Sequence, residues 1–326
     1  MNPICEKARQ YILSLADEEG GYSASAALGC LGLADGRVSE TAAPAYAAEL
    51  ALMLGFELPY PEKTTAFLSA HQHPDGHFQN FAPLPGLPVR FYHLFITCMA
   101  LRGLRALGES PKYNPETWLR KHILSLENIG CYTPDFYANA CAALDAEMDR
   151  ECFEKLAGAV LKKQDPETGW ILEPSLRKAG YPFERNNPGT FHTARFFFLA
   201  GKTIPLADRI LKTFLSLREA DGSWKLGGVH GTFDACVTLR MLGGKAPAKE
   251  PLEKAAEWAL SCMREDGGFS HFGTHPPSTE FPVDAPSEMD ACYFQLSTLM
   301  MANRLPDYTP AGSVWCGWGH NLEKKA

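Results

Sequence analysis

Two short stretches of the chain set a carboxylate and a thiol at the same spacing: Asp234-Ala-Cys236 in "GTFDACVTLRML" and Asp290-Ala-Cys292 in "SEMDACYFQLSTL". An aspartate and a thiolate at i and i+2 can converge on one metal ion where the first turn of a helix is loose. A third ligand from a neighbouring element would leave one coordination position open, as catalytic zinc sites do. A buried aspartate has a second use, because a neighbouring carboxylate raises its pKa and turns it into a proton donor at neutral pH. Both stretches also fit plain capping. Thr232 can be an N-cap with Asp234 in the first turn, and Ser287 to Asp290 has nearly the spacing of a capping box, where carboxylates also complement the helix dipole.

These residues act only where the fold gathers them, and the fold is written as a repeat. A glycine followed by an aromatic punctuates the chain six times, at "EEGGYSA", "HPDGHFQ", "ENIGCYT", "PETGWIL", "EADGSWK" and "REDGGFS". Before each stands a segment with apolar residues at i, i+3, i+4 and i+7 and charges opposite, such as "CEKARQYILSLA" and "ADRILKTFLSL": helices with one wet side. After each comes a segment apolar almost all round, such as "APAYAAELALMLG" and "TFHTARFFFLAG", the mark of an interior helix. The glycine is expected to close the first helix in a left-handed conformation. No segment alternates with period 2, so the expectation is an all-α chain of six helical hairpins, with wet helices ringed around dry ones and residues 1–326 forming a single domain. The irregular stretch 171–190 is a candidate lid or rim.

This repeat, and "DGSWKLGGVHGTFDACVTLRMLGG" in particular, resembles that of the prenyltransferase and squalene-cyclase superfamily, over the whole chain. The resemblance implies an α/α toroid, six inner and six outer helices around an apolar funnel. Prenyltransferase β subunits of that superfamily hold a zinc with Asp-x-Cys in the fifth repeat and a His in the sixth. Carried over, this implies a zinc on Asp234, Cys236 and Asp290, with Cys236 as thiolate and an aspartate in the place of the His; in the other register Asp290 and Cys292 are the pair, with His320 or His192 in reserve for the missing His. The Arg and Lys that precede Asp-x-Cys in that family are missing, and Arg90, Arg185, Lys225 and His230 would have to hold a diphosphate. The same superfamily contains class II terpene cyclases, whose Asp-x-Asp-Asp corresponds here to Gly231 to Asp234, with only the last aspartate kept as acid. Such cyclases usually carry a second helical domain for which this chain shows no sequence, which sets that reading second. A noncatalytic toroid binding an apolar ligand or peptide is a third. The segment "VWCGWGH" at 314–320 is faintly similar to an element of lanthionine cyclases, but its partner element is missing.

Aligning the inner segments by their first apolar turn puts Tyr46, Tyr92, Tyr137, His192, Asp234 and Asp290 at equivalent places. Of these, Tyr92, Tyr137 and His192, with His93, Phe191, Phe233 and Tyr293, form the expected lining for an isoprenoid or other apolar small molecule. The "HQHPDGH" stretch is expected to be a solvated outer loop. A prenyltransferase would also require a helical partner subunit. With 31 Lys and Arg against 38 Asp and Glu, a net charge of -7 offers no basic field for nucleic acid. No stretch of about 18 apolar residues would span a membrane, and the ten cysteines form no C-x-x-C pair, so the expected setting is cytoplasmic and reducing.

Overall fold

The structure, a computed structural model, describes residues 2–25, 41–81, 89–172, 187–224, 228–243, 249–271, 286–302 and 304–305. Within them the chain forms twelve α-helices: α1 (Pro3–Ser14), α2 (Ala42–Leu54), α3 (Pro61–Ala70), α4 (Val89–Ala106), α5 (Glu116–Ser125), α6 (Thr133–Ala143), α7 (Arg150–Leu161), α8 (Asn187–Leu199), α9 (Ala207–Ser216), α10 (Gly228–Gly243), α11 (Lys249–Ser261) and α12 (Met289–Met301). The odd-numbered helices bury one stripe only: Cys5, Ala8, Tyr11 and Ile12 in α1, Ile210 and Phe214 in α9. The even-numbered helices α2, α6 and α12 are buried almost all round. Each even helix packs beside the next, and α12 packs against α2, so the six close into a ring. This is the expected all-α toroid. One continuous apolar core runs from Cys5 to Leu305. No helix of the described residues is long and apolar enough to cross a membrane, and no disulfide joins the described cysteines.

The punctuating glycines do something other than close the outer helices. α1 already ends at Ser14, and α10's predecessor α9 at Ser216. The chain then turns back on itself in a tight loop pinned by one antiparallel bridge, as in Arg218 with Trp224 and Met263 with Phe269. Gly222 and Gly267 sit in these loops at φ 92° and 90°, in the left-handed region. A Cβ on Gly222 would lie 2.3 Å from the Lys254 carbonyl oxygen of α11, and one on Gly267 2.5 Å from that of Lys7 in α1. These two turns therefore seat their bare backbone on the next outer helix, the last seating on the first. Gly222→Ala should destabilise the fold by about 2 kcal/mol through backbone strain and clash. Gly130, whose Cβ would meet nothing within 4 Å, should tolerate the same change. Denaturant unfolding of the two variants checks this.

The turns also fix the rotation of the inner helices. The N–H of the turn residue donates to a side chain on the following inner helix: Phe78 to Thr97 Oγ1 at 2.9 Å, Ile171 to Thr190 Oγ1 at 2.9 Å, Trp224 to Thr232 Oγ1 at 3.2 Å, and Phe269 to Cys292 Sγ at 3.2 Å. Thr97, Thr190, Thr232 and Cys292 are therefore structural equivalents, and each marks the helix face turned toward the outer ring. The left-handed Gly108 and Gly201, which follow α4 and α8, stand the same distance on from Thr97 and Thr190 and confirm the register.

Candidate functional site

A residue two places from an outward-facing marker lies about 200° around the helix, on the face toward the lumen. Counting from the markers sorts the inner faces into layers. Two residues before them stand Phe95, His230 and Asp290; two residues after them stand His192, Asp234 and Phe294; one turn deeper stand Arg102 and Arg195. Asp234 follows its marker and Asp290 precedes its own, so the two Asp-Ala-Cys copies are displaced by one helical turn. They are not the same slot, as the sequence alignment expected.

The deep layer is charged and closed. Glu49 of α2 accepts from Arg102 of α4 through Nε at 2.8 Å and through Nη2, with both residues fully buried. Tyr46 and Tyr293 lay their rings against the Arg102 guanidinium, 5.8 and 5.7 Å from it. Asp135 of α6 accepts from Arg195 of α8 in the same fork, Nε at 2.7 Å and Nη2, and also from Asn139 at 2.8 Å, while His192 Nδ1 stands 2.5 Å away. Burial alone would raise the Asp135 carboxyl; Arg195 and His192 outweigh it and hold it below the usual range.

Asp234 lies beside this network and outside it. Its side chain is 4 % exposed, and no described residue donates a hydrogen bond to its carboxyl. Burial pushes its pKa well above the ordinary value; the Asp135 charge adds to this and Arg195 opposes it. Around it the wall is aromatic: Phe233 meets Phe294 at 4.8 Å and Phe191 edge-on at 5.9 Å, and Phe294 meets Tyr46 at 5.9 Å. On the α6 side, Phe136 bridges Phe95 at 5.3 Å and His192 at 5.8 Å. The folded chain thus keeps a proton on Asp234 that the unfolded chain, with an aspartate pKa of about 3.9, releases. Stability should be fully present below that value and fall as pH rises toward the folded pKa, because the folded state binds the extra proton. Asp234→Asn should remove that part of the slope, as read from denaturant midpoints across pH.

Of the sequence-derived candidates, Asp234, His192, Phe191, Phe233 and Tyr293 meet in this wall, and Tyr92 is buried in α4. Others turn away. Cys236 lies one turn on from Thr232, on the face toward the outer ring, where burial alone raises its thiol pKa. Tyr137 accepts a hydrogen bond from the Asp149 N–H at the start of α7, at 3.1 Å. His93 lies one turn before Thr97 on the outward face and meets His77 at a tilt, with ring centroids 4.7 Å apart. Asp234, Cys236 and Asp290 do not gather: the only groups of three candidate ligands converging within 4.8 Å among the described residues are His230, His271, Asp290 and His73, Asp75, His77. The zinc set carried over from the resemblance therefore does not fit these three side chains. Arg185, Lys225, Cys316, His320, the Arg90 side chain and most of the 171–190 stretch lie outside the described residues.

Sequence reasoning missed Asp135 and Arg195, although a charge inside a helix that is apolar all round must find a partner. It also missed His271 and Glu288. His271 Nε2 lies 3.2 Å from Glu288 Oε2 and 3.2 Å from Asp290 Oδ1. Burial would lower its pKa, but Asp290 and Glu288 lift it to about 10.

Comparison with known proteins places these observations. The chain matches the prenyltransferase alpha-alpha toroid domain over residues 3–128 and 113–309. The apo structure of the type II terpene cyclase MstE from Scytonema is similar, with a TM-score of 0.56 at 14% identity over 92% of this chain and 95% of that one. A variant of the same cyclase in complex with geranylgeranyl dihydroxybenzoate, its substrate, gives a TM-score of 0.36 at 13% identity, over 94% of this chain and 79% of that one. No curated protein matches in sequence.

Proposed function

The chain belongs to the prenyltransferase alpha-alpha toroid family, and from that premise we propose that it is an isoprenoid-handling enzyme in which Asp234 acts as a proton donor to an alkene held in the aromatic lumen. One observation carries the reading. Of the three aspartates near the lumen, Asp135 is held by Arg195 and His192, and Asp290 by His271; Asp234 has no side-chain partner among the described residues and is driven toward its neutral form. A set of carboxyls whose surroundings push their pKa values apart is how one site separates a proton donor from its charged scaffold.

The chemistry follows from the layers. A neutral carboxylic acid in an apolar wall protonates the alkene, and the carbocation so formed meets the π faces of Phe233, Phe294 and Tyr46. The carboxylate left behind lies in the field of Arg195, whose charge favours the ionised form. Ring closure and loss of a proton to a base give an isomer of the substrate. The likeness to a type II terpene cyclase concerns the fold alone; the acid is argued from Asp234 itself.

Prenyl transfer would instead need Cys236 as a thiolate ligand of a metal that activates an acceptor's thiol, and that side chain faces the shell between the rings. Incubating the full chain with geranylgeranyl diphosphate, with and without a cysteine-containing acceptor peptide, and with squalene epoxide, followed by product analysis, separates the two. The expected result is cyclised isomers that persist in Cys236→Ala and vanish in Asp234→Asn. A prenylated thiol product, lost in Cys236→Ala and kept in Asp234→Asn, would overturn the reading.

A further inference from the structure

Four places in the molecule gather chemistry outside the Asp234 wall. Two are solvent-facing clefts near the far ends of the inner helices, one of about 510 Å³ between α6, α7 and α8 and one of about 440 Å³ beside Arg105 and Asp145. Their linings hold charged surface residues with no buried unpartnered group. The third is the cluster of His73, Asp75 and His77 on the turn after α3. There His73 and Asp75 are exposed, and both imidazole Nδ1 atoms already converge on one carboxylate oxygen, at 3.1 and 2.5 Å.

The fourth is different in kind. We propose that His230, His271 and Asp290 form a binding site for a divalent transition-metal ion of the zinc class, at the lumen mouth between α10 and α12. The three residues come from separate parts of the chain: the first turn of α10, the segment just past the sixth turn, and the first turn of α12. Their ligand atoms all lie within 4.8 Å of one another. His271 Nε2 stands 3.2 Å from Asp290 Oδ1, and His230 Nε2 stands 3.9 Å from Asp290 Oδ2. The two imidazole rings tilt by 36° with centroids 5.2 Å apart, so both present a nitrogen to the same carboxylate.

A second observation is independent of that convergence. Asp290 is 5 % exposed, and its Oδ2 is buried with no hydrogen-bond partner among the described residues. Leaving a buried acceptor unsatisfied is unfavourable, and the nearest candidate donor, His230 Nε2, is beyond hydrogen-bond reach. A cation between Oδ2 and the two imidazole nitrogens would satisfy the oxygen and both rings. Two imidazoles and a carboxylate suit zinc and its neighbours rather than magnesium or calcium, which take oxygen ligands. Glu288 Oε2, 3.2 Å from His271 Nε2, is the available fourth donor or an outer carboxylate that orients the ring. His230 is held from behind by Phe294, edge-on at 4.6 Å. None of the site's ligands belongs to the acid wall, and the site stands whether or not Asp234 is a proton donor.

The test uses the full chain, stripped with chelator and titrated with Co²⁺ as a coloured substitute, then with Zn²⁺. The expected result is one tight Co²⁺ per chain, displaced by Zn²⁺ and not by Mg²⁺, with visible bands lacking any sulfur-to-metal charge transfer. His230→Ala and Asp290→Asn should each weaken binding at least tenfold, and the paired change His73→Ala and His77→Ala should leave it unaltered. Absence of tight binding to the unmodified chain overturns the proposal. So does binding that survives His230→Ala, or that disappears with the His73 and His77 changes. Because Asp290→Asn could impair folding, X-ray absorption of the zinc-loaded chain carrying His73→Ala and His77→Ala, which removes the other pair of imidazoles, decides without altering the site. Two imidazoles with oxygen support the site, and a sulfur ligand overturns it.

Discussion

With Asp234 as the proposed proton donor, Asp234→Asn is expected to lower the rate of isoprenoid cyclisation by about 10²–10⁴-fold, the contribution of a positioned general acid, while the protein stays folded. The two halves of this result belong together. Asparagine has the shape of the neutral acid, and the native carboxyl is already driven toward that form by burial, so the substitution removes no ion pair. What it removes is the proton. Asp234→Asn should even gain stability above neutral pH, where the native carboxyl is under the greatest pressure to ionise in the buried wall. Product yield from a polyprenyl substrate, read beside a denaturant curve, checks both halves. A variant that fails to fold, or one that keeps full activity, is the contrary outcome.

Asp135→Asn has the opposite signature. Removing this charge leaves Arg195, 2 % exposed, without its counter-ion and takes away the carboxylate beside His192. Breaking one side of a buried pair costs about 3–5 kcal/mol, because the remaining charge is left desolvated. Changing both partners, Asp135→Asn with Arg195→Met, should recover most of that loss, since no charge then remains buried alone. The native pair also sets the acid limit of stability. The Asp135 carboxyl is held below its unfolded value, so the stability it contributes is present above about pH 3.9 and is lost as pH falls through the folded pKa. Urea midpoints of the native, single and double variants measure both effects.

The contrast between these two aspartates explains what could be read in the sequence. The six hairpins were legible because periodicity and punctuation are local: a stripe such as Cys5, Ala8 and Ile12 buries one face whatever surrounds it. The rotation of the inner helices was not. Asp-Ala-Cys occurs twice in the same words, yet Thr232 takes the turn N–H in one copy and Cys292 takes it in the other. The frame is set by a hydrogen bond from a residue eight positions before Thr232 in one repeat and twenty-three before Cys292 in the other. Identical wording therefore lands one helical turn apart. For the same reason His93 and Tyr137 looked inward and are turned outward. The turn glycines were recognised and given the wrong task, because the surface that demands a bare backbone belongs to the next repeat.

Some of the missing residues did leave a signal. Glu49, Arg102, Asp135 and Arg195 are charges inside segments with no wet face, and such residues must be paired by a neighbouring helix. His271 left none on its own; it gains meaning only when the sixth turn brings it to Asp290 and Glu288.

The central claim is that the toroid's lumen holds one neutral aspartic acid, at position 234, among charged ones that are paired. Infrared difference spectroscopy of the natural protein against Asp234→Asn at neutral pH tests it directly. The account predicts a protonated-carboxyl stretch in the natural protein that the variant lacks. A difference spectrum showing only the bands of an ionised carboxylate would contradict it.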